Sequence, residues 1–238
     1  MPRSCKNSLL PATFALPNTS DRPVWLQQQE ALIASLSAQP ILVVVRPDPT
    51  DLDGDDGPGS LLDHLSCLDE VGLRHVEIGW QPDCRWCSFV ARVRQRCPSL
   101  QLGAASLLTT DALADLKTCG LPFAMSPCFD PALLERARQR GILLVPGVFS
   151  PTELQQAAAM GCGLVKLFPA VSVGVDYIQR LRAPLGPLPQ VIAAGGLGVG
   201  DVDAWLMAGH AAVALGRRVI DVQGPDPTLL RWLQTTSG

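Results

Sequence analysis

The sequence predicts an α/β protein: a single (β/α)8 TIM barrel preceded by an N-terminal helical extension. Three observations carry that expectation. Eight short runs rich in Val, Ile, Leu and Ala recur along the 238 residues. Each is followed by a segment with the spacing of an amphipathic helix, and the runs are apolar throughout, as strands of a helix-covered parallel sheet must be. Eight βα units are the number that closes such a barrel. A doubly wound open sheet is the alternative, because a strand pattern alone does not show closure.

In chain order, residues 1 to about 25 read as an irregular leader. The stretch WLQQQEALIASLSAQ after it predicts a helix that plugs or flanks the N-terminal face of the barrel. Two parts are therefore expected: a leader with its flanking helix over 1–39, and the barrel over 40–238. The predicted strands are ILVVVR from Ile41, LRHVEIG from Leu73, LQLGAAS from Leu100, LPFAMSP from Leu121, ILLVPGV from Ile142, GLVKLFP from Gly163, QVIAAGG from Gln190 and AAVALGR from Ala211, with starts 21 to 32 residues apart. The segments PALLERARQRG and PTELQQAAAMG are examples of the intervening helices. Thr109-Thr110-Asp111 marks one helix start, and Ser150, Pro151 and Glu153 mark another as N-cap, N1 and N3. Gly120, Gly141 and Gly161 are placed to end helices. Between the first strand and its helix, DPTDLDGDDGPGS predicts a flexible, solvated insertion. A calcium site is the sharper reading of that segment, but it lacks the EF-hand ligand spacing and terminal Glu.

A hydrophobic content of 47% with 17% charged residues excludes a disordered or fibrous chain. The net charge is −3, from 19 basic and 22 acidic residues, and the basic residues are scattered, so no nucleic-acid partner is expected. No apolar run approaches the roughly 20 residues of a membrane span, so no membrane partner is expected either. Prolines interrupt the N-terminal apolar patch and no A-x-A site follows it, so secretion is not expected. The eight cysteines are expected as reduced thiols of a cytoplasmic chain. Cys84-Arg-Trp-Cys87 is a CxxC; with no second ligand pair, its spacing is read as chance.

In such a barrel, polar residues within the apolar runs require an explanation. The clearest is Lys166, one of only three lysines (with Lys6 and Lys117) against sixteen arginines. Only lysine loses its proton readily enough to become a nucleophile. Period-two alternation puts Leu164, Lys166 and Phe168 on one face. If that face is the interior, desolvation favours the neutral amine and suits Schiff-base chemistry with a carbonyl substrate; the rival is a lysine that snorkels to solvent or pairs with a carboxylate. Glu77, also within an apolar strand, suits proton relay beside an imine. Its bland reading is a structural ion pair with Arg46, which is compatible with Arg46 also binding a substrate carboxylate. The turns Ala194-Gly195-Gly196-Leu197-Gly198 and Leu215-Gly216-Arg217-Arg218 follow the last two strands, where backbone N–H groups hold phosphate in barrels of this kind.

From about Pro40 to Ile220 the chain resembles the class I aldolases of the 2-keto-3-deoxy-6-phosphogluconate (KDPG) and 4-hydroxy-2-oxoglutarate (KHG) family. The resemblance is carried in order by Val43-Val-Val-Arg46, Val76-Glu-Ile78, Gly103-Ala-Ala-Ser106, Phe123-Ala-Met-Ser-Pro127, Pro146-Gly-Val-Phe-Ser-Pro-Thr-Glu153, Val165-Lys-Leu-Phe-Pro169 and Gly195-Gly196. It implies Lys166 as the Schiff-base lysine and Glu77 as the proton shuttle, in a homotrimer that needs no metal or other cofactor. It also places Arg46, Ser106, Pro127, Phe168, Gly195, Gly196, Gly216 and Arg217 around the substrate. Departures fall at the substrate ends. The family's GAGT reads Gly-Ala-Ala-Ser106, its TGG reads Ala194-Gly-Gly196, its GS after strand 8 reads Gly216-Arg217, and Gln81 stands where many members carry a substrate-binding arginine.

The reaction so implied cleaves a 2-keto-4-hydroxy acid, KDPG or 4-hydroxy-2-oxoglutarate, to pyruvate plus glyceraldehyde 3-phosphate or glyoxylate. Two rivals remain at this stage. One is an epimerase-like phosphate-sugar barrel in which Lys166 is not covalent. The other is a non-catalytic sensor or assembly protein that kept the fold.

Overall fold

The computed structural model describes residues 22–221 and 223–236, so the predicted leader up to residue 21 lies outside the described residues. Nine parallel strands form one sheet: β1 (Ile41–Val45), β2 (His75–Gly79), β3 (Gln101–Ala105), β4 (Phe123–Met125), β5 (Leu143–Val145), β6 (Gly147–Val148), β7 (Leu164–Leu167), β8 (Gln190–Ala194) and β9 (Ala212–Leu215). Their order is β5-β4-β3-β2-β1-β9-β8-β7-β6. The two edge strands are halves of one stave, interrupted at Pro146, which has no N–H to donate. The Pro146 carbonyl still accepts from the Lys166 N–H at 2.9 Å. All eight predicted strands are therefore present, and the sheet wraps into a barrel instead of lying open. Gly147 allows the seam: a β-carbon there would lie 2.4 Å from the Pro127 carbonyl carbon.

Alternation along each strand divides the core in two. Leu42, Phe123, Met125, Leu143, Leu164, Ile192 and Ala212 fill the barrel. Ile41, Val43, Val76, Ile78, Val165 and Leu167 face outward against the helices. These comprise α2 (Pro49–Asp53), α3 (Leu61–Glu70), α4 (Trp86–Arg96), α5 (Thr110–Cys119), α6 (Pro131–Gln139), α7 (Pro151–Ala159), α8 (Tyr177–Leu185), α9 (Val202–Met207) and α10 (Pro227–Thr236).

The predicted extension is α1 (Val24–Ala38), and it closes the N-terminal end of the barrel. Its Leu32 and Leu36 join the interior cluster. Strand-leading N–H groups are bonded by side chains of this segment. The Gln28 side-chain oxygen accepts from Leu143 N–H at 3.0 Å, and that of Gln29 from Gly163 N–H at 2.8 Å. Gln39, just past the helix, accepts from Arg74 N–H at 2.7 Å. Ser35 Oγ meets His75 Nε2 at 2.7 Å.

Helix punctuation follows the sequence in most places. Ser150 and Glu153 form the expected reciprocal capping box with Pro151 at N1. Gly120, Gly141 and Gly161 end α5, α6 and α7 with left-handed φ of 64°, 72° and 80°. Thr109 precedes α5 but makes no capping bond with its side chain. The predicted flexible insertion is corrected: its first part is α2. Asp48 accepts from the Thr50 and Asp51 N–H groups, Asp51 answers to Asp48 N–H, Pro49 opens the turn and Gly54 closes it. Asp51 also accepts from Leu61 N–H at 3.2 Å, pinning the loop to the start of α3. Residues that read as loop formers are here the caps of a short helix. Among the described residues, no helix is long and apolar enough to cross a membrane.

Candidate active site

The C-terminal ends of β1, β7, β8 and β9 surround a cavity of about 380 Å³. Arg46, Lys166, Phe168, Gly195, Gly196, Gly216 and Arg217, all expected at the site, line it. Ala194, Arg218, Val44, Val171 and Leu197 complete much of its wall. A second cavity, of about 360 Å³, opens at the opposite end between α1 and the starts of β3 and β4, but its lining contains no acid, base or nucleophile.

Lys166 points inward from β7, as alternation requires, and is 6% exposed. Its Nζ lies 5.5 Å from the centroid of the Phe168 ring, within cation–π range, and no carboxylate among the described residues forms an ion pair with it. The lysine therefore neither snorkels free nor sits in a structural salt bridge.

Glu77 projects from β2, four staves from β7 in a barrel of eight, so the two side chains approach across the interior. It is fully enclosed, level with Val44, and neither carboxylate oxygen has a hydrogen-bond partner. Burial pushes its carboxyl up to about 7, and the positive charges of Lys166 and Arg46 partly offset that rise. An ionisable group left unbonded at such a depth costs folding free energy, which is the usual mark of a group kept for chemistry.

The bland reading of Glu77, an ion pair with Arg46, is not what forms among the described residues. Arg46 instead donates from Nη1 and Nη2 to Ser106 Oγ, each at 3.1 Å. Ser106 follows β3 with φ of 65°, a left-handed conformation unusual for a residue with a side chain. Arg46 and Ser106 thus form one polar unit at the rim, while Glu77 stays beneath it. Gln81 does not enter the cavity; its amide donates to the Pro47 carbonyl, next to Arg46. Ser106 and Pro127 do not line the cavity directly. Ser106 reaches it through Arg46, and Pro127 packs at the end of β4 against Gly147.

Gly195 and Gly196 follow β8 with φ of 95° and 84°. A β-carbon on Gly195 would lie 2.9 Å from the Phe168 ring, and one on Gly196 would lie 2.5 Å from the Val171 side chain. Only glycine fits there, and the turn brings its backbone to the cavity. Arg217 and Arg218 are exposed beside it, without a carboxylate partner among the described residues. Val44 was legible as the residue two before Arg46 on the same face. Val171 and Leu197 sit in turns, where the sequence carries no signal of facing.

Residues 57–226 match the family model described as "KDPG and KHG aldolase". The "Probable 2-dehydro-3-deoxy-6-phosphogalactonate aldolase" of Rhizobium meliloti (strain 1021) is 32% identical over 151 residues, 63% of this chain and 69% of that protein. The "2-dehydro-3-deoxy-phosphogluconate aldolase" of Treponema pallidum (strain Nichols) is 34% identical over 126 residues, 53% of this chain and 60% of that protein. A crystal structure of KDPG aldolase from Legionella pneumophila, with pyruvate captured as a covalent carbinolamine, superposes with a TM-score of 0.66 at 20% identity. It covers 86% of this chain and 94% of the other. The barrel, the family match across most of it and relatives that are named aldolases lead to one statement: this chain belongs to the KDPG and KHG aldolase family, a family of carbon–carbon lyases.

Proposed function

We propose that the protein is a class I aldolase that cleaves a 6-phosphorylated 2-keto-3-deoxy sugar acid, KDPG or its galactose-derived epimer, to pyruvate and glyceraldehyde 3-phosphate. The observation that carries the reading is the opposition of Lys166 and Glu77 across the barrel, with Glu77 unbonded and held near neutrality. The amine of Lys166 attacks the C2 carbonyl, water leaves, and the resulting iminium draws electrons from the C3–C4 bond. Glu77, or a water it positions, takes the C4 hydroxyl proton as that bond breaks. The aldehyde departs, the enamine is protonated at C3, and hydrolysis releases pyruvate and the free lysine. A carboxyl that titrates near 7 suits both taking and giving a proton at neutral pH.

Arg46, held by Ser106, receives the substrate carboxylate, and Phe168 closes the apolar side. Phosphate lies against the Gly195–Gly196 and Gly216 turns with Arg217 and Arg218; two guanidinium groups without an ion-pair partner among the described residues, beside a glycine turn, favour the phosphorylated substrates over 4-hydroxy-2-oxoglutarate. A homotrimer in the cytoplasm, without metal or cofactor, belongs to the same proposal, as does the division into residues 1–39 and a barrel domain over 40–238. Sedimentation of the full chain reads the oligomer directly. The function is tested with KDPG, its C4 epimer and 4-hydroxy-2-oxoglutarate in a pyruvate-coupled assay. Preferential turnover of a phosphorylated acid is expected, whereas turnover of none of the three by folded protein contradicts the reading.

A further inference from the structure

β2 ends in a glycine that its own backbone does not require. Gly79 is buried at the last position of the strand and lacks the left-handed φ that accounts for the turn glycines. Glycine weakens a strand, so one kept there marks a close approach by another group. That group is Arg46: a β-carbon at position 79 would lie 2.9 Å from its Nη1 and 3.1 Å from its Cγ. The arginine side chain thus runs over the spot that any larger residue would fill.

The strand order explains why it runs there. β1, β2 and β3 are neighbours, with Val45 beside Ile78 and Gly79 beside Ala105. Arg46 follows β1 and Ser106 follows β3, so the arm that joins them has to cross the end of β2. The floor under the arm is tied on three sides. Trp86 Nε1 donates to the Gly79 carbonyl at 2.9 Å, the Trp80 N–H donates to the Ala105 carbonyl at 3.0 Å, and the Gln81 amide donates to the Pro47 carbonyl. A β-carbon at 79 is therefore accommodated by the flexible partner, which is the arginine. Arg46 is exposed and rich in rotamers, so its contacts alone decide where its guanidinium points.

We propose that Gly79 is a positioning residue: its missing β-carbon lets Arg46 cross β2, reach Ser106 and hold its fork to the substrate carboxylate. The inference rests on the reading of Arg46 as the carboxylate-binding group. Each Nη atom that donates to Ser106 carries a second N–H, and Arg46 lines the cavity, so the bond that fixes the fork leaves donors for the substrate. Gly79 acts on recognition through Arg46 and touches neither the substrate nor Lys166.

Crystal structures of the full chain, wild type and Gly79→Ala, read the position directly. Arg46 is expected to lose its hydrogen bonds to Ser106 in the variant while β2 stays in place; a contact that persists overturns the inference. Borohydride trapping at Lys166 with increasing pyruvate reads the consequence. The pyruvate concentration at half-saturation is expected to rise roughly 10-fold, the scale of a misplaced charge-assisted contact, with the limiting rate kept. An unchanged half-saturation, or a loss confined to the limiting rate, overturns the positioning role. In an Arg46→Ala background, Gly79→Ala is expected to add nothing, and a second loss of the same size shows that the effect does not pass through Arg46. A Gly79→Ala chain that folds only together with Arg46→Ala supports the same contact, whereas failure of both to fold overturns it. Wild-type protein that traps no pyruvate contradicts the aldolase reading instead, and the pair of crystal structures still decides the placement of Arg46.

Discussion

At the scale of single residues, Glu77 joins the proposed chemistry to a measurable cost in stability. Its carboxyl titrates near 7 in the folded chain against an ordinary value of 4.5. Between those values the folded state binds a proton that the unfolded state has released, so stability falls as pH rises through that window and stays low above it. A shift of this size corresponds to about 3 kcal/mol. Glu77→Gln is therefore expected to be more stable than wild type at pH 8 by up to about that amount, with the gap closing below pH 4.5, while turnover is lost. Urea midpoints across pH read the first effect; equal midpoints for the two proteins at pH 8 contradict it. Arg217 and Arg218 carry a separate expectation. Replacing both by alanine should raise KM for phosphorylated substrates roughly 10- to 100-fold, the scale of losing charge-assisted contacts worth about 1.5–3 kcal/mol. Pyruvate trapping at Lys166 should be unaffected. Similar kinetics in the double variant would place the phosphate elsewhere.

Among the elements, α1 depends on His75. That ring is wholly buried, faces the Ile41 carbonyl at 3.1 Å through Nδ1 and meets Ser35 of α1 through Nε2. Burial lowers its pKa to about 4 from 6.5, so below 6.5 the unfolded chain takes up a proton that the folded chain does not. The stability this neutral ring provides is complete above 6.5 and is lost as pH falls toward 4, roughly 3 kcal/mol in all. His75→Gln is expected to flatten the pH dependence of the urea midpoint within that window, and an unchanged slope contradicts the assignment. Leu36→Ala, which opens the plug, is expected to cost about 2–5 kcal/mol. Much at this scale was legible in the sequence. Buried parallel strands are apolar on both faces, so every stave shows as a run, and the Ser150–Glu153 box shows at its full spacing. What escaped was local competition: Asp48, Asp51 and Gly54 suit a loop and a short helix equally, and only the contact with Leu61 distinguishes the two.

The whole barrel brings together residues that no local pattern connects. Lys166 and Glu77 were legible one at a time, as charges within apolar strands. That they oppose each other depends on closure through the Pro146 stave. The Arg46–Ser106 unit was less legible, since the partners lie 60 residues apart and the nearer candidate for the guanidinium was Glu77. The central claim is that the barrel presents Lys166 as the imine-forming amine. It is tested most directly by borohydride reduction of the full chain with pyruvate, followed by intact mass and peptide mapping. The account predicts one stable pyruvyl adduct, located at Lys166 and absent in Lys166→Arg; folded protein that gains no adduct, or gains it at another lysine, contradicts it.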